Sequence, residues 1–121
     1  PDDLSSKCKL AMTLVSTENP MAGIMMLREV LEADQDFREA ILDLGLLSVR
    51  SGQFERAIGR FQRLIEMDST DYEARLYLGV CYMETGQKNL ANEMFGVVIA
   101  DQSADPALVA AAKEYLNVLS N

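Results

Sequence analysis

The feature that most limits what this chain can fold into is an internal repeat with a period of 34 residues. When the sequence is shifted by that period, the stretch beginning at Arg38 matches the stretch beginning at Tyr72. Many identities at one spacing indicate a repeat architecture, in which each unit stacks on the next. The identical pairs include Glu39/Glu73, Ala40/Ala74, Leu42/Leu76, Leu44/Leu78, Gly45/Gly79, Gly52/Gly86, Gln53/Gln87, Ala57/Ala91, Phe61/Phe95, Ile65/Ile99 and Asp71/Asp105.

The repeated glycines indicate where helices end and where they pack closely. Gly52 and Gly86 follow apolar-periodic stretches and a small hydroxylic residue, which predicts left-handed caps at two helix C-termini. Gly45 and Gly79 fall in mid-helix, where glycine costs about 1 kcal/mol relative to alanine, so they predict a close approach of two helix backbones. The side chains expected to fill the space beside them are Phe61 and Phe95.

This pattern resembles the tetratricopeptide repeat. The matching residues are Leu44, Gly45, Gly52, Ala57 and Phe61 in one copy and Leu78, Gly79, Tyr82, Gly86, Ala91 and Phe95 in the next; the family's opening Trp and closing Pro are absent from both. An earlier stretch matches less well, with Leu10, Ala11, Glu18, Gly23 and Leu27 at the motif positions. Because terminal repeats are often atypical, this stretch is interpreted as a degenerate first repeat.

The resemblance implies an all-α superhelix, and the helical periodicity places its elements. Seven antiparallel helices are predicted near 4–17, 20–33, 37–50, 54–67, 71–84, 88–101 and 105–119. They form a single domain over 1–121, with a degenerate repeat at 4–37, full repeats at 38–71 and 72–105, and a capping helix at 106–121. The last helix lacks the Leu-Gly signature and is expected to shield the end of the array from solvent.

Helix starts are predicted from capping signals. Asp36 with Glu39 and Thr70 with Glu73 have the spacing of a capping box. Asn19–Pro20 and Asp105–Pro106 have the pattern of an N-cap followed by proline at the first helical position.

Composition excludes several classes of function. The formal net charge is −8, and the 11 basic residues are scattered along the sequence rather than clustered, so no nucleic-acid partner is expected. No apolar run is long enough to cross a bilayer. The chain begins with Pro1 rather than Met, from which we expect that the native N-terminus, with any export signal or anchor, is missing; both the bacterial cytoplasm and the periplasm stay open.

No catalytic or metal-binding constellation is found. The sequence contains no His, the commonest general base and metal ligand, and no phosphate-binding loop. We therefore predict no enzymatic activity, no metal and no cofactor. Cys8 and Cys81 lie two repeats apart and are expected to be too distant for a disulfide, with Cys81 in the core and Cys8 exposed.

The first helix of each repeat is more apolar than a single buried stripe requires. In the second repeat, one apolar face of this helix can pack on the partner helix, and a second apolar face stays available. The residues predicted to contact a partner on this second face are Cys8, Met12, Val15, Leu42, Leu46, Val49, Leu76, Val80 and Met83. The polar residues beside them are Asp43, Glu73, Tyr77 and Glu84, with Lys9 and Arg50 as the nearby cations. In the family, this face lines the concave surface that holds a peptide or a helix.

An apolar floor with an acidic rim suits a protein segment that has apolar anchors and basic flanks. The alternative is that these apolar rows pack under the N-terminal segment or the final helix, or form a homodimer. The family's clamp for chaperone tails would fall on Cys8, Met12, Asp43, Glu73 and Tyr77. None of these is a cation or an Asn, which argues against that specialised role.

The leading functional hypothesis is a scaffold or adaptor that binds one protein segment in this groove. A looser resemblance, to acidic three-repeat chaperones of bacterial secretion systems, implies shielding of an apolar client. A third hypothesis is a subunit of a bacterial envelope assembly.

Overall fold

A computed structural model describes residues 3–121, and this range is all-α, as predicted. The helices lie within one or two residues of the positions expected from the sequence. They are α1 (Leu4–Val15), α2 (Pro20–Ala33), α3 (Arg38–Arg50), α4 (Phe54–Met67), α5 (Tyr72–Glu84), α6 (Lys88–Ala100) and α7 (Pro106–Leu119).

The predicted glycine caps are confirmed at the ends of α3 and α5. Gly52 has a φ of 76° and Gly86 a φ of 79°, so both adopt the left-handed conformation that favours glycine. At the end of α3, the Gln53 N–H donates to the Ser48 carbonyl at 2.8 Å and the Gly52 N–H donates to the Val49 carbonyl at 3.0 Å. The same pair of bonds recurs after α5. These are Schellman motifs, which satisfy the last free carbonyls of each first helix.

The predicted capping boxes are wrong by one residue. Helix α5 is capped by Asp71, which accepts a hydrogen bond from the Ala74 N–H at 3.2 Å, while the Thr70 hydroxyl donates to Asp68. Helix α3 begins after Phe37 with no side-chain cap, because Asp36 pairs with Arg63 instead. The prediction for α7 is confirmed: Asp105 accepts from the Ala107 N–H at 2.9 Å. Asn19 does precede Pro20 at the start of α2, but its side chain makes no cap bond.

Successive helices pack as hairpins that stack in chain order. Helix α1 packs on α2, α3 on α4 and α5 on α6, and α7 packs on both α6 and α5. The first helices of successive hairpins also contact one another, α1 with α3 and α3 with α5. This arrangement lines up α1, α3 and α5 side by side, and it brings equivalent residues of successive repeats onto one surface.

The mid-helix glycines make room for side chains of the partner helix. A Cβ atom at Gly45 would lie 2.6 Å from Cε1 of Phe61, and one at Gly79 would lie 2.6 Å from Cε1 of Phe95. Both phenylalanines are fully buried, so the predicted role for them is confirmed. The expected close approach of backbones occurs elsewhere, at Gly23, whose missing Cβ would overlap the backbone of α1 at Ala11 and Val15.

Within the described residues, none of these helices has the combination of length and apolar character needed to cross a membrane.

Candidate functional site

The surface built by equivalent side chains of α1, α3 and α5 is called here the first-helix face. All of the sequence-predicted partner-binding residues belong to these helices. The structure divides them into a buried set, a partly exposed apolar set and a polar set, which are described in turn.

Three of the predicted contact residues are buried, and their assignment to the partner surface is wrong. Cys8 is fully buried beneath α3, in a cluster with Ala40 and Leu44. Leu42 is 8% exposed and packs with Ala74, Leu78 and Cys81 of α5. Leu76 is 5% exposed and shares a cluster with Ala112 of α7. In the first two hairpins this repeat position packs against the first helix of the following hairpin, and in the third it packs against α7. Stacking therefore covers it in every unit.

The apolar side chains one and two turns further along the same helices stay half-buried. They are Met12 and Val15 on α1, Leu46 and Val49 on α3, and Val80 and Met83 on α5. Except for Val15, each packs partly against one of the core clusters. The cluster beneath Val80 and Met83 also contains Ala112 of α7, so the final helix shares in packing this end of the row. The apolar strip formed by these residues is the part of the predicted floor that a partner could contact.

Acidic side chains gather beside the apolar strip. Asp43 is half-buried, and two other carboxylates, those of Glu39 and Glu73, are near enough to repel its charge. Burial, followed by the repulsion from these two carboxylates, raises the pKa of Asp43 to about 6, and Arg38 opposes this shift. Neither glutamate is free of contacts: Glu39 accepts a hydrogen bond from the Ser5 hydroxyl at 2.8 Å, and Glu73 pairs with Arg38.

Arg38 is the cation that organises this cluster. Its guanidinium donates to both carboxylate oxygens of the buried Asp71, at 2.8 and 2.9 Å, and to Glu73 at 2.8 Å. These bonds join the start of α3 to the start of α5 and raise the pKa of Arg38. Arg38 therefore cancels part of the negative charge near Glu73, while Asp43 has no hydrogen-bonded cation among the described residues.

Tyr77 lies where the acidic cluster meets the core. Its ring packs at a tilt against Phe61, with 5.7 Å between ring centroids. Burial and the nearby Glu73 raise the pKa of its hydroxyl. A half-buried tyrosine with an apolar ring and a polar tip is well suited to contact a partner side chain.

Two residues of this cluster were missed at the sequence level. Glu39 is the repeat equivalent of Glu73, so the 34-residue register carried the signal for it. Arg38 carried no such signal, because its repeat equivalent is Tyr72. The contact that matters for Arg38 is made across the boundary between two repeats.

The expectation that basic residues are scattered is also wrong in three dimensions. Arg56, Arg60 and Arg63 recur along one face of α4, and Arg28 of α2 lines the same depression as Arg56 and Arg60. Burial, followed by the charges of Arg28 and Arg56, lowers the pKa of Arg60. The missed signal was the i, i+4, i+7 spacing within α4, which places these arginines on one side of a helix.

No group of three or more potential metal ligands occurs within residues 3–121. Both cysteines are buried and unpaired, and burial raises the pKa of each thiol to about 11. The expectation that Cys8 is exposed is thus wrong, because α3 covers it.

Stacked helical hairpins that keep a partly exposed apolar strip on one side define a helical-repeat interaction scaffold. A family model described as tetratricopeptide repeat matches residues 48–115, which is more than half of the chain. The chain therefore belongs to the tetratricopeptide repeat family, whose repeats form an interaction module that binds proteins or peptides.

Solved structures of MamA have the same fold. One crystal structure of MamA aligns with a TM-score of 0.73 and 24% sequence identity, covering 99% of this chain and 72% of that one. A second, of MamA protein, aligns with a TM-score of 0.65 and 24% identity, covering 78% and 51%. This chain spans about half the length of the latter, and at this identity the likeness shows the fold alone. No curated protein sequence matches this chain.

Proposed function

We propose that this domain binds a segment of a partner protein on the first-helix face. The partner segment would place apolar anchors on the apolar strip and basic residues beside Asp43 and Glu39. The strip is the one defined above: Met12, Val15, Leu46, Val49, Val80 and Met83. This proposal extends the general binding role of the family to a particular surface and a particular ligand chemistry.

The observation that carries the proposal is the recurrence of partly exposed apolar residues at equivalent repeat positions. Met12, Leu46 and Val80 are 34 residues apart in succession, and all three stay half-buried although neighbouring positions are covered by stacking. Scattered single apolar residues are normal on protein surfaces, but a contiguous row across adjacent helices is typical of a docking surface. The row runs across the stack, so an extended or helical segment could contact several repeats at once.

The charge preference follows from Asp43. A half-buried carboxylate beside two others is destabilised as an anion, and a Lys or Arg from a partner would relieve that repulsion. Binding of a basic segment would then lower the pKa of Asp43 and release a proton below neutral pH. We expect the affinity for such a segment to rise with pH between about 5 and 7.

A peptide-display selection on the intact chain tests the proposal. We expect the recovered sequences to share two or more apolar residues flanked by Lys or Arg. Binding of these peptides should fall at least about tenfold in Leu46→Glu and in Asp43→Lys, because each change places an unfavourable charge in the contact.

Leu90→Glu is the matched control, since Leu90 is 40% exposed on α6, away from the first-helix face. Circular dichroism must show equal helicity for all variants. Peptides enriched in Asp and Glu, or binding that survives both groove substitutions, would contradict the proposal. The hypotheses of a secretion chaperone and of an envelope subunit stay predictions.

A further inference from the structure

Three arginines converge on the side of the molecule formed by α2 and α4. Arg28, Arg56 and Arg60 line one depression, and Arg56 and Arg60 also line a neighbouring one. The two helices that supply them are the second helices of their hairpins, so this arginine patch lies outside the first-helix face. Its position and sign of charge separate it from the groove proposed above.

These arginines lack partners of opposite charge. Within residues 3–121, no carboxylate lies within 4.0 Å of Arg28, Arg56 or Arg60, whereas the neighbouring Arg63 pairs with Asp36 and Glu66. The chain has 19 acidic residues and 11 basic ones, so unpaired arginines are not a result of a shortage of carboxylates. No salt bridge within the described residues offsets the repulsion between these arginines.

A glycine beside the patch is likewise unexplained by packing. Gly59 lies in the middle of α4, and a Cβ atom built there would have no neighbour within 4 Å. Unlike Gly45, it makes room for no side chain of this protein, and it costs helix stability relative to alanine. Gly59 lines the depression shared with Arg56, Arg60 and Arg63, and it leaves the helix backbone open to close approach by another chain.

The apolar residues around the patch decide between classes of ligand. Met21, Ile24, Leu44 and Leu47 line the same depression as the arginines. Apolar side chains next to guanidinium groups suit a peptide that carries both carboxylates and an apolar anchor. Neither depression is lined by an aromatic side chain on which a nucleobase could stack, and the net charge of −8 opposes a long polyanion.

We propose that the arginine patch is a second docking surface, which binds an acidic segment of a partner protein. Asp and Glu side chains of the segment pair with Arg28, Arg56 and Arg60, an apolar side chain enters the depression lined by Met21 and Ile24, and the backbone passes over Gly59. The domain then holds two protein segments of opposite charge on two sides, which is the arrangement of a bridging adaptor.

Fluorescence anisotropy with a labelled peptide of about 12 residues, containing Asp and Glu with two Leu anchors, tests this surface. We expect binding that weakens as salt is raised, because exposed charge pairs are screened. Binding should fall at least about tenfold in the double variant Arg56→Glu/Arg60→Glu and in Gly59→Leu. Gly96→Leu is the matched control, since Gly96 of α6 is also open to solvent and lies far from the patch in sequence.

Two further probes make the outcome decisive. The same peptide with Asn and Gln in place of its acids should not bind, and single-stranded DNA of equal charge should bind more weakly than the acidic peptide. Absence of salt-dependent binding, binding that survives the arginine variant, or tighter binding of the DNA would overturn the proposal. Leu46→Glu, which disrupts the groove proposed above, should leave the acidic peptide bound, so the two surfaces fail independently.

Discussion

The pKa of one residue, Asp43, depends on the fold and bears on the charge of the expected partner. Its sequence position predicted an acidic rim, but the rise in its pKa comes from burial and from Glu39 and Glu73, which the fold brings close. A carboxylate whose folded pKa is raised binds a proton more readily in the native state than in the unfolded chain. Native stability therefore decreases as pH rises from the unfolded value near 4 to about 6, and it is constant above that range with respect to this group.

We expect Asp43→Asn to stabilise the protein at pH 8 by about 1 kcal/mol, a value reduced from the pKa shift because water still screens half of the side chain. At pH 4 the difference should nearly vanish, since Asp43 is protonated in the native state. Urea unfolding followed by circular dichroism at both pH values measures it. Glu114→Gln, on the exposed surface of α7, is the matched control, because it removes one negative charge outside the acidic cluster. An equal or larger gain at pH 4 would contradict the assigned pKa.

Arg38 makes a different contribution, because it compensates a buried charge. Asp71 has a side chain only 6% exposed, and the Arg38 guanidinium is its bidentate partner across two repeats. Removing one member of such a pair leaves an uncompensated charge in a poorly hydrated site. We expect Arg38→Gln to lower the free energy of unfolding by about 2 kcal/mol, reduced from the cost of a fully buried pair because Arg38 is itself half-exposed.

The matched control is Arg63→Gln, which breaks the ion pairs with Asp36 and Glu66, all between side chains that are about half-exposed or more. Exposed pairs contribute little, so its effect should stay below about 1 kcal/mol. Chemical denaturation at neutral pH compares the two variants directly. Equal losses in both would mean that Asp71 keeps enough solvent or backbone contacts to tolerate the loss of Arg38.

At the scale of elements, the glycines distinguish ends of helices from their interiors. Gly52 ends α3 with a positive φ and an empty space around its missing side chain, so any cost of a substitution there comes from the backbone conformation. Gly96 also has empty space around it but lies inside α6 with no positive φ. We expect Gly52→Ala to destabilise the protein by about 1 kcal/mol and Gly96→Ala to stabilise it by up to about 1 kcal/mol. Thermal unfolding of the two variants should shift the midpoint in opposite directions.

The helices were predictable because the same sequence pattern occurs in more than one repeat, so each copy supports the same assignment. The 34-residue register, the glycine caps and the Gly-Phe contacts are all local or internal to one repeat, and the structure confirms them. The side-chain cap expected for α3 is absent because Asp36 pairs with Arg63. The cap of α5 was missed because Asp71 serves both as that cap and as the ion-pair partner of Arg38. Such competition between contacts has no periodic signal.

The partner surface was harder to predict, for a reason that lies in stacking. A helical pattern shows that Leu42 and Leu46 share an apolar face, but it does not show which of them the next helix covers. In the structure Leu42 is buried by α5, whereas Leu46 stays partly exposed. The spacing of the arginines within α4 was visible in the sequence, but Arg28 and Arg60 come to line one depression only when the first two hairpins stack.

At the scale of the whole molecule, a stacked array is held together by contacts between neighbouring units only. The terminal units have one neighbour, so they are expected to open more easily than central ones. Cys8 lies in the first hairpin and Cys81 in the third, and each is fully buried with a thiol pKa raised to about 11. Because the two thiols have similar pKa values and neither is exposed, their rates of modification report local opening rather than intrinsic reactivity.

We expect Cys8 in the Cys81→Ser variant to react with a thiol reagent at least about tenfold faster than Cys81 in the Cys8→Ser variant, which corresponds to about 1.4 kcal/mol in opening free energy. The first hairpin, which has the weaker match to the repeat motif, is covered on one side by α3. Cys81 of α5 instead packs against the second hairpin, and α7 covers the other side of the third hairpin. Both rates should become equal in denaturant, which controls for intrinsic reactivity. Equal rates under native conditions would show that the array opens as one cooperative unit, because a hairpin that frays by itself must expose its own cysteine first.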